Sequence, residues 1–397
     1  MSKRPPGWAA PERERRNNTP FKSVALLLQG GGALGAYQAG VYEALAERGV
    51  DPTWVAGISI GAINSAIIAG NPPAERVAKL RAFWELVSGG AMEWPSVFSP
   101  FSDGGLFRTL ANQFAAGTVM VGGAAGFFRP RFLAPLFQPA GSVEAISWYG
   151  IEELRGTLER LVDFDRINSR DMRFSVGAVN VASGNFAYFD NETTNIRPEH
   201  IMASGALPPA FPPVEIDGEH YWDGGMVSNT PLDWVLSARS NLDMLIFQVD
   251  LWSASGEIPR DLQSVAVRMK EIQYSSRTRA ATAQFEERQK LRTACHELLQ
   301  HLPAESRRTP EAVLLAAASD PAVYNIVELI YRSPTYEGES KDYEFSRQTM
   351  RDHWRTGYEN ARDTLAHPEV LARPPAAVGM RVYDFITSAG EQPNPGL

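Results

Sequence analysis

A continuous apolar run that ends in a cluster of glycines is the feature that most limits how this chain can fold. Val24-Ala25-Leu26-Leu27-Leu28 contains no polar residue, which is typical of a strand buried on both faces of a parallel sheet. The glycine cluster Gly30–Gly35 follows, and apolar residues then recur at helical spacing over 36–47. The order of strand, glycine loop and helix predicts an α/β fold.

A second strand–turn–helix unit follows a few residues later. The apolar Trp54-Val55-Ala56 leads into Gly57-Ile58-Ser59-Ile60-Gly61, and a helix of small residues is predicted from there to Gly70. Gly57 and Gly61 permit a sharp turn, which pushes the serine hydroxyl out beside a helix N-terminus. This nucleophile-elbow pattern of serine acyl hydrolases makes Ser59 a candidate nucleophile. A glycine-rich turn without a catalytic role stays open as the alternative.

Composition limits the classes of function. The 397 residues carry a net charge of −8 with a pI near 5.4, which argues against nucleic acid as a partner. Hydrophobic and charged contents of 44% and 21% are ordinary for a globular protein, and we expect a cytoplasmic one with peripheral membrane contact at most. The single cysteine excludes an intramolecular disulfide. No pattern predicts a cofactor or a metal.

Changes in composition along the chain predict its organisation. Residues 1–20 are rich in Pro and Arg and lack the apolar segment of a secretory signal, so we expect a disordered leader. Residues 88–150 are rich in Gly and aromatics and form a predicted insertion, a candidate lid. Within them, the uncharged stretch 109–128 contains polar residues and four glycines, which favours a flap over a membrane span. The remaining expected units are a catalytic domain over 21–255, a mainly helical C-terminal extension over 256–375 and a tail over 376–397.

Periodicity predicts further elements. The predicted strands are 173–181, 186–189, 243–251 and 323–331. The predicted helices are 75–87, 151–161, 200–205, 232–238, 260–302 and 342–365.

The glycine cluster allows two functions. Gly30, Gly32 and Gly35 fit a dinucleotide-binding fingerprint, but that fold expects an acidic residue at the end of the second strand, and none stands there. Alternatively, backbone N–H groups at the start of a helix can stabilise the oxyanion of acyl transfer. On this interpretation the oxyanion hole is formed by Gly30, Gly31, Gly32 and Ala33.

A nucleophilic serine needs a base. The chain has six histidines, none of which follows a convincing strand in the hydrolase order of serine, acid and histidine: residues 200, 220, 296, 301, 353 and 367. Asp223 is the better candidate, because two aromatics precede it and Gly224 and Gly225 give it room. An apolar wall would raise the pKa of this carboxyl toward the range of a working base. An ordinary Asp-Gly surface turn stays open.

These motifs, in this order, resemble those of the patatin-like phospholipase family. The segment 203–213 also looks like the family's sequence ahead of its aspartate. The resemblance implies a three-layer α/β sandwich with a mostly parallel central sheet and a Ser59–Asp223 dyad without histidine. It departs from the family pattern at Leu34, where a basic residue is common, so the hole would rely on backbone donors alone. Residues 274–279 and 341–346 resemble the C-terminal extension of one bacterial patatin subgroup. This second resemblance carries little functional content. The helices of the extension could pack on the core, dimerise or bind a partner.

The function that the resemblance implies is hydrolysis of lipid carboxylic esters through an acyl-enzyme. A carboxylesterase acting on soluble or storage esters is the main alternative, and a non-catalytic lipid-binding protein is the second. The insertion could contact membrane lipids, with Arg129 and Arg131 among apolar residues that would meet lipid tails: Phe127, Phe128, Phe132, Leu136 and Phe137. Ordinary core packing of the insertion stays open as the alternative.

Overall fold

The computed structural model describes residues 19–89, 115–238, 242–333 and 337–385. Its strands, labelled β1 to β11 in chain order, are Ser23–Leu28, Trp54–Gly57, Arg129–Pro130, Tyr149–Gly150, Arg173–Asn180, Phe186–Asp190, Val214–Ile216, Glu219–Asp223, Met244–Asp250, Tyr324–Ile330 and Met380–Tyr383. Its helices, labelled α1 to α11, are Gly35–Glu47, Ile60–Ala69, Arg76–Val87, Glu152–Leu161, Phe164–Asn168, Pro198–Ser204, Leu232–Ser237, Leu262–His301, Pro310–Ala318, Arg347–Thr364 and Pro368–Leu371. A further helical stretch covers 115–122.

Nine of these strands form one sheet. Their order is β11-β10-β9-β1-β2-β5-β8-β7, and β6 pairs with β5. The six strands from β11 to β5 are parallel, while β6, β7 and β8 are antiparallel to their neighbours. The remaining strands β3 and β4 form a separate antiparallel pair. The α/β class and the mostly parallel sheet predicted from the sequence are confirmed.

Strand β1 lies in the middle of the sheet and is buried on both faces, which explains its unbroken apolar sequence. Val24, Leu26 and Leu28 point into one core together with α1, α2, α3 and α10. Ala25 and Leu27 point into a second core, which contains residues of α7 and α8. The sheet is therefore the middle layer of three, as the resemblance implied.

The parallel strands β1 and β2 and the antiparallel strand β8 bring the candidate residues to one edge of the sheet. Gly30 follows the carboxyl end of β1, and Ser59 follows the carboxyl end of the adjacent strand β2. Asp223 ends β8, where it lies opposite Ala178 of β5. Open α/β sheets bind ligands outside the carboxyl ends of their strands, and this edge is where the site forms.

The C-terminal extension is largely helical, but it also extends the sheet. Its strand β10 pairs in parallel with β9, and β11 follows at the edge. The helix predicted over 342–365 begins instead at Arg347, because the Ser346 hydroxyl accepts the Thr349 N–H at 3.3 Å and caps it. Residues before Ser346 are thereby free to leave the helix axis and reach the candidate site.

Several predictions concern residues outside the described ranges. They are the leader up to residue 18, residues 90–114 of the insertion and the tail from 386 onward. Within the described ranges, no helix has both the length and the apolar character needed to cross a membrane.

Candidate active site

A cavity of about 340 Å³ opens at the carboxyl edge of the sheet and contains both candidate catalytic side chains. Ser59 and Asp223 line it, together with Gly30, Gly31 and Gly32. Most of the remaining wall is apolar or aromatic and includes Ile60, Phe127, Phe128, Leu207, Phe211 and Phe345. Three sequence motifs that are far apart in the chain therefore meet at one apolar pocket.

Ser59 lies at a strained turn between β2 and α2. Its φ of 56° and ψ of −123° fall in a region that residues other than glycine rarely adopt. The Ser59 N–H donates to Ser204 Oγ at 3.0 Å, and that hydroxyl donates to the Gly177 carbonyl at 2.7 Å. Ser204 is fully buried, so it ties the strained turn to β5. This is the geometry that the elbow pattern predicted.

The elbow also requires close backbone packing. A Cβ on Gly57 would overlap the Gly61 carbonyl, and a Cβ on Gly61 would overlap the Leu28 carbonyl of β1. The predicted supporting glycines beside Asp223 also lie close to their neighbours. A Cβ on Gly224 would stand 2.6 Å from the Gly177 carbonyl oxygen, and the Gly225 N–H donates to Asp223 Oδ1 at 2.7 Å.

Asp223 is a buried carboxyl at the edge of the cavity, with 2% of its surface exposed. Burial raises its pKa to about 7, and hydrogen bonding from the Ser59 side chain and the Gly225 N–H opposes that rise. A carboxyl that titrates near neutrality can both accept a proton and return it. Asp223 is therefore a buried carboxyl with a raised pKa that lies within hydrogen-bonding reach of the Ser59 side chain.

The glycine loop passes directly beside Ser59. A Cβ on Gly30 would lie 3.1 Å from Ser59 Cβ. The Gly30 N–H donates to the Asn229 carbonyl at 3.3 Å, so it is already used, and Ala33 is buried away from the cavity. Among the described residues, none accepts a hydrogen bond from the N–H of Gly31 or Gly32. Of the four predicted donors, these two line the cavity with unused N–H groups.

None of the six histidines, all of which are described, lines the cavity. His220 is exposed on β8, although it is only three residues from Asp223. His353 is buried on α10, where its Nε2 lies 2.9 Å from Glu337 Oε1. His200 is buried on α6 against Phe189. The cavity therefore offers Ser59 a carboxylate and no imidazole.

Four residues of the site were not singled out by sequence reasoning: Gln29, Ser204, Asn229 and Tyr274. Asn229 Nδ2 donates to the Gly30 carbonyl at 3.0 Å and so links the loop after Asp223 to the glycine loop. The Gln29 amide accepts the Leu251 N–H and donates to the Tyr274 carbonyl. Ser204 lies in the 203–213 segment and Tyr274 in the 274–279 segment, and the family resemblance of these two segments was the available signal. The others are polar residues whose partners are distant in sequence.

The aromatic residues of the insertion separate into an inner and an outer group. Phe127 and Phe128 are buried and line the cavity, with ring centroids 6.0 and 6.2 Å from Phe345 of the C-terminal extension. Phe132 and Phe137 are instead exposed. Arg131 is held by Ser147 Oγ at 2.9 Å, and Arg129 is exposed but paired with Glu153. The residues predicted to face lipid therefore lie in two places, some in the cavity lining and others on the exposed surface.

A family model described as patatin-like phospholipase matches residues 26–236, more than half of the chain. This chain belongs to the patatin-like phospholipase family. A second model, described as patatin phospholipase, matches residues 272–377. The patatin-like region contains Ser59, Asp223 and the glycine loop, and the second match contains Tyr274 and Phe345 of the same cavity. The bacterial patatin-like resemblance with its C-terminal extension is confirmed.

Similar proteins include NTE family proteins of Mycobacterium tuberculosis and Mycobacterium bovis, described as uncharacterized. Each is 24% identical over 237 residues, which is 60% of this chain and 52% of the relative. The chain therefore spans about half the length of these relatives. Among solved structures, VipD from Legionella pneumophila matches 88% of this chain and 66% of its own at 16% identity and a TM-score of 0.36. The ExoU–SpcU complex of Pseudomonas aeruginosa matches 76% and 69% at 16% identity and a TM-score of 0.26.

Proposed function

We propose that this protein is a serine acyl hydrolase that cleaves carboxylic esters of lipids with a Ser59–Asp223 dyad. One observation carries the proposal. Ser59 and Asp223 share an apolar cavity with the unused N–H groups of Gly31 and Gly32. Nucleophile, base, oxyanion donors and a pocket for an acyl chain are the parts that ester hydrolysis needs.

In the first step, Ser59 Oγ attacks the ester carbonyl carbon while the Asp223 carboxylate accepts its proton. The carbonyl oxygen becomes an oxyanion, which the N–H groups of Gly31 and Gly32 stabilise. The N-terminal end of α2, which begins at Ile60, adds its positive potential. Asp223 then gives the proton to the leaving alcohol oxygen as the C–O bond breaks, and an acyl-enzyme remains on Ser59.

In the second step, the Asp223 carboxylate takes a proton from water, and the resulting hydroxide attacks the acyl carbonyl. The same two N–H groups hold the second oxyanion. Collapse of this intermediate releases the carboxylic acid, and the proton on Asp223 returns to Ser59 Oγ. One carboxyl serves as base and acid in turn, and a pKa of about 7 suits both roles at neutral pH.

Ester turnover by Ser59→Ala tests the nucleophile. With p-nitrophenyl esters of several chain lengths, we expect the variant to lose turnover by on the order of 10³-fold or more. Ser65→Ala is the matched control, because Ser65 is fully buried in α2, the helix that follows Ser59, and does not line the cavity. Turnover by Ser59→Ala at the wild-type rate would refute Ser59 as the nucleophile, whereas absent turnover in wild type would favour a non-catalytic lipid-binding protein.

An exposed apolar surface beside the cavity favours lipid over soluble esters as substrates. We call it the outer apolar surface: Phe132, Leu133, Leu136, Phe137, Ile146 and Trp148, all at least 47% exposed. It continues to the cavity through Tyr149, which lines the pocket and follows Trp148 directly. Monomeric proteins rarely expose so many large apolar side chains together without a binding role. We propose that this surface contacts a lipid bilayer and brings the pocket to its substrate.

Co-sedimentation with phosphatidylcholine vesicles tests the lipid surface. Replacing both Phe132 and Phe137 by Ser should weaken vesicle binding about tenfold or more, because it removes two aromatic rings that would be buried in the bilayer. Turnover of a soluble short-chain ester should stay unchanged. The matched control replaces Leu291 and Leu298 by Ser, two exposed residues of α8 outside the cavity lining. Wild-type vesicle binding by the double Phe variant would favour the soluble-ester alternative.

A further inference from the structure

The C-terminal extension touches the glycine loop directly. We call residues 341–345, which precede α10, the 341–345 segment. The backbone carbonyl of Asp342 lies against Gly32, and a Cβ on Gly32 would stand 3.1 Å from the carbonyl carbon of Asp342. Gly32 has a φ of +56°, so the loop and the segment fit together only with glycine at this position. The segment therefore packs on one of the two proposed oxyanion donors.

Two reciprocal ion pairs hold the 341–345 segment on α8. Lys270 of α8 pairs with Asp342 at 3.0 Å, and its neighbour Glu271 pairs with Lys341 at 2.8 Å. Each side thus contributes a lysine followed by a carboxylate, and the two sides pair in antiparallel register. The Lys341 side chain is 2% exposed, and a buried charge of this kind requires its partner. The arrangement fixes the register of the segment on the helix.

A second path leads from Lys341 to the loop. The Lys341 ammonium lies 5.1 Å from the ring centroid of Trp252, and Trp252 Nε1 donates to the Gly30 carbonyl at 2.9 Å. On the far side of the loop, His353 Nδ1 lies 3.4 Å from the Ala33 carbonyl oxygen. Residues of the extension therefore contact the loop at Gly32 and Ala33, and Lys341 also contacts Trp252, which is bonded to Gly30.

We propose that the two ion pairs position the glycine loop through the 341–345 segment and thereby set the geometry of the Gly31 and Gly32 N–H groups. Lys270, Glu271, Lys341 and Asp342 are positioning residues on this account. The catalytic part of the proposal rests on the proposed acyl hydrolase function, while the structural part does not. The extension is accordingly a component of the active site rather than a separate accessory module.

A charge-swap cycle on Lys270 and Asp342 tests the proposal, because this pair is the more exposed of the two and is the easier to reverse in a folded protein. The variants are Lys270→Glu, Asp342→Lys and the double swap. The first readout is amide hydrogen exchange of the 30–34 peptide, where the Gly30 and Leu34 N–H groups are bonded. Each single variant should exchange at least about tenfold faster than wild type, and the double swap should return toward wild type.

The control is Lys290→Glu, which reverses a lysine on the same helix whose partner is Glu286. This variant should leave exchange of the loop unchanged. Exchange that is the same in wild type and both single variants, or a double swap that fails to restore protection, overturns the proposal. Since exchange needs no substrate, this readout decides the structural part even if wild type cleaves no ester.

The second readout is kcat per active site, counted by covalent titration with a fluorophosphonate. Lys270→Glu should lower kcat about tenfold or more with little change in KM, and the double swap should recover it. Lys270 does not line the cavity, so a direct effect on substrate does not explain such a loss. Faster loop exchange with wild-type kcat overturns the catalytic part. Absent turnover and labelling in wild type would instead refute the proposed function.

Discussion

Asp223 and Asp250 each end a strand of the sheet, and they have nearly the same environment by two measures. Asp223 is 2% exposed and Asp250 is 5% exposed. Burial raises the pKa of each carboxyl to about 7. What separates them is their contacts. Asp250 accepts hydrogen bonds from Gln248 Nε2 at 2.7 Å and Thr230 Oγ1 at 3.3 Å, whereas Asp223 faces Ser59 in the cavity.

The comparison teaches that a raised pKa does not identify a catalytic base. Burial alone produces the shift in both carboxyls, and Asp250 uses its oxygens to hold residues of the framework. Of these two carboxyls, only Asp223 combines the raised pKa with a hydrogen bond from the Ser59 side chain and a place in the cavity lining. Asp250 is therefore a matched control for Asp223 in the same molecule, with the same residue type, burial and direction of pKa shift.

The largest expected difference between the two is in turnover. Asp223→Asn removes the proton acceptor of Ser59, so kcat should fall by on the order of 10³-fold or more. Asp250→Asn should retain nearly wild-type kcat. Ester hydrolysis by both variants, with circular dichroism to verify folding, checks this. A loss of similar size in both would mean that the two carboxyls act through the framework and that the dyad is wrong.

A smaller difference in kcat is expected between two buried serines that do not react themselves, Ser204 and Ser175. Ser204→Ala leaves the Ser59 N–H without its acceptor, so the elbow should shift and kcat should fall by about ten- to a hundredfold. Ser175→Ala is the control, because this buried hydroxyl donates to Asp190 at 2.7 Å, outside the cavity lining. Both variants should lose about 1–3 kcal/mol of unfolding free energy. Equal kcat in the two variants contradicts a role for Ser204 in holding the elbow.

The pH dependence of turnover separates the aspartates again. The dyad needs ionised Asp223, so kcat/KM should fall below the pKa of about 7, by about tenfold per pH unit, and reach a plateau above it. Asp250→Asn should show the same profile as wild type. Rates measured from pH 5 to 9 check this. A shifted midpoint in Asp250→Asn would show that the titration belongs to Asp250, which contradicts its assignment to Asp223.

Stability should respond to pH with the opposite sign. Asp250 has a pKa of about 7 when folded against an ordinary value of 3.8, so the folded chain holds the proton more tightly. Its contribution to stability is present below about pH 4 and is lost as the pH rises through 7. Asp250→Asn should therefore gain unfolding free energy relative to wild type between pH 4.5 and 8. Urea denaturation of both proteins at the two pH values measures this gain. A loss of unfolding free energy in Asp250→Asn relative to wild type contradicts the raised pKa of Asp250.

Local patterns singled out Ser59 and Asp223, which share one cavity, because the elbow and the Asp-Gly-Gly turn are each defined by adjacent residues. The apolar run of β1 and the glycine loop were likewise readable from the sequence. Strand β8 was missed, since its pairing with β5 joins residues more than 40 positions apart. Residues 342–345 of the 341–345 segment were predicted as helix, because helical spacing continues through them and the contact with Gly32 is a tertiary one. The hydrogen bond from Asn229 to Gly30 is likewise a tertiary contact that the sequence pattern does not predict, because it joins residues 199 positions apart.

Covalent labelling with a fluorophosphonate, located by tandem mass spectrometry, tests the central claim most directly. The Ser59–Asp223 dyad predicts one adduct, on Ser59, which Ser59→Ala abolishes and Asp223→Asn slows strongly while Asp250→Asn does not. An adduct on another residue would contradict the assignment of Ser59. Labelling of Asp223→Asn at the wild-type rate would contradict the assignment of Asp223 as its base.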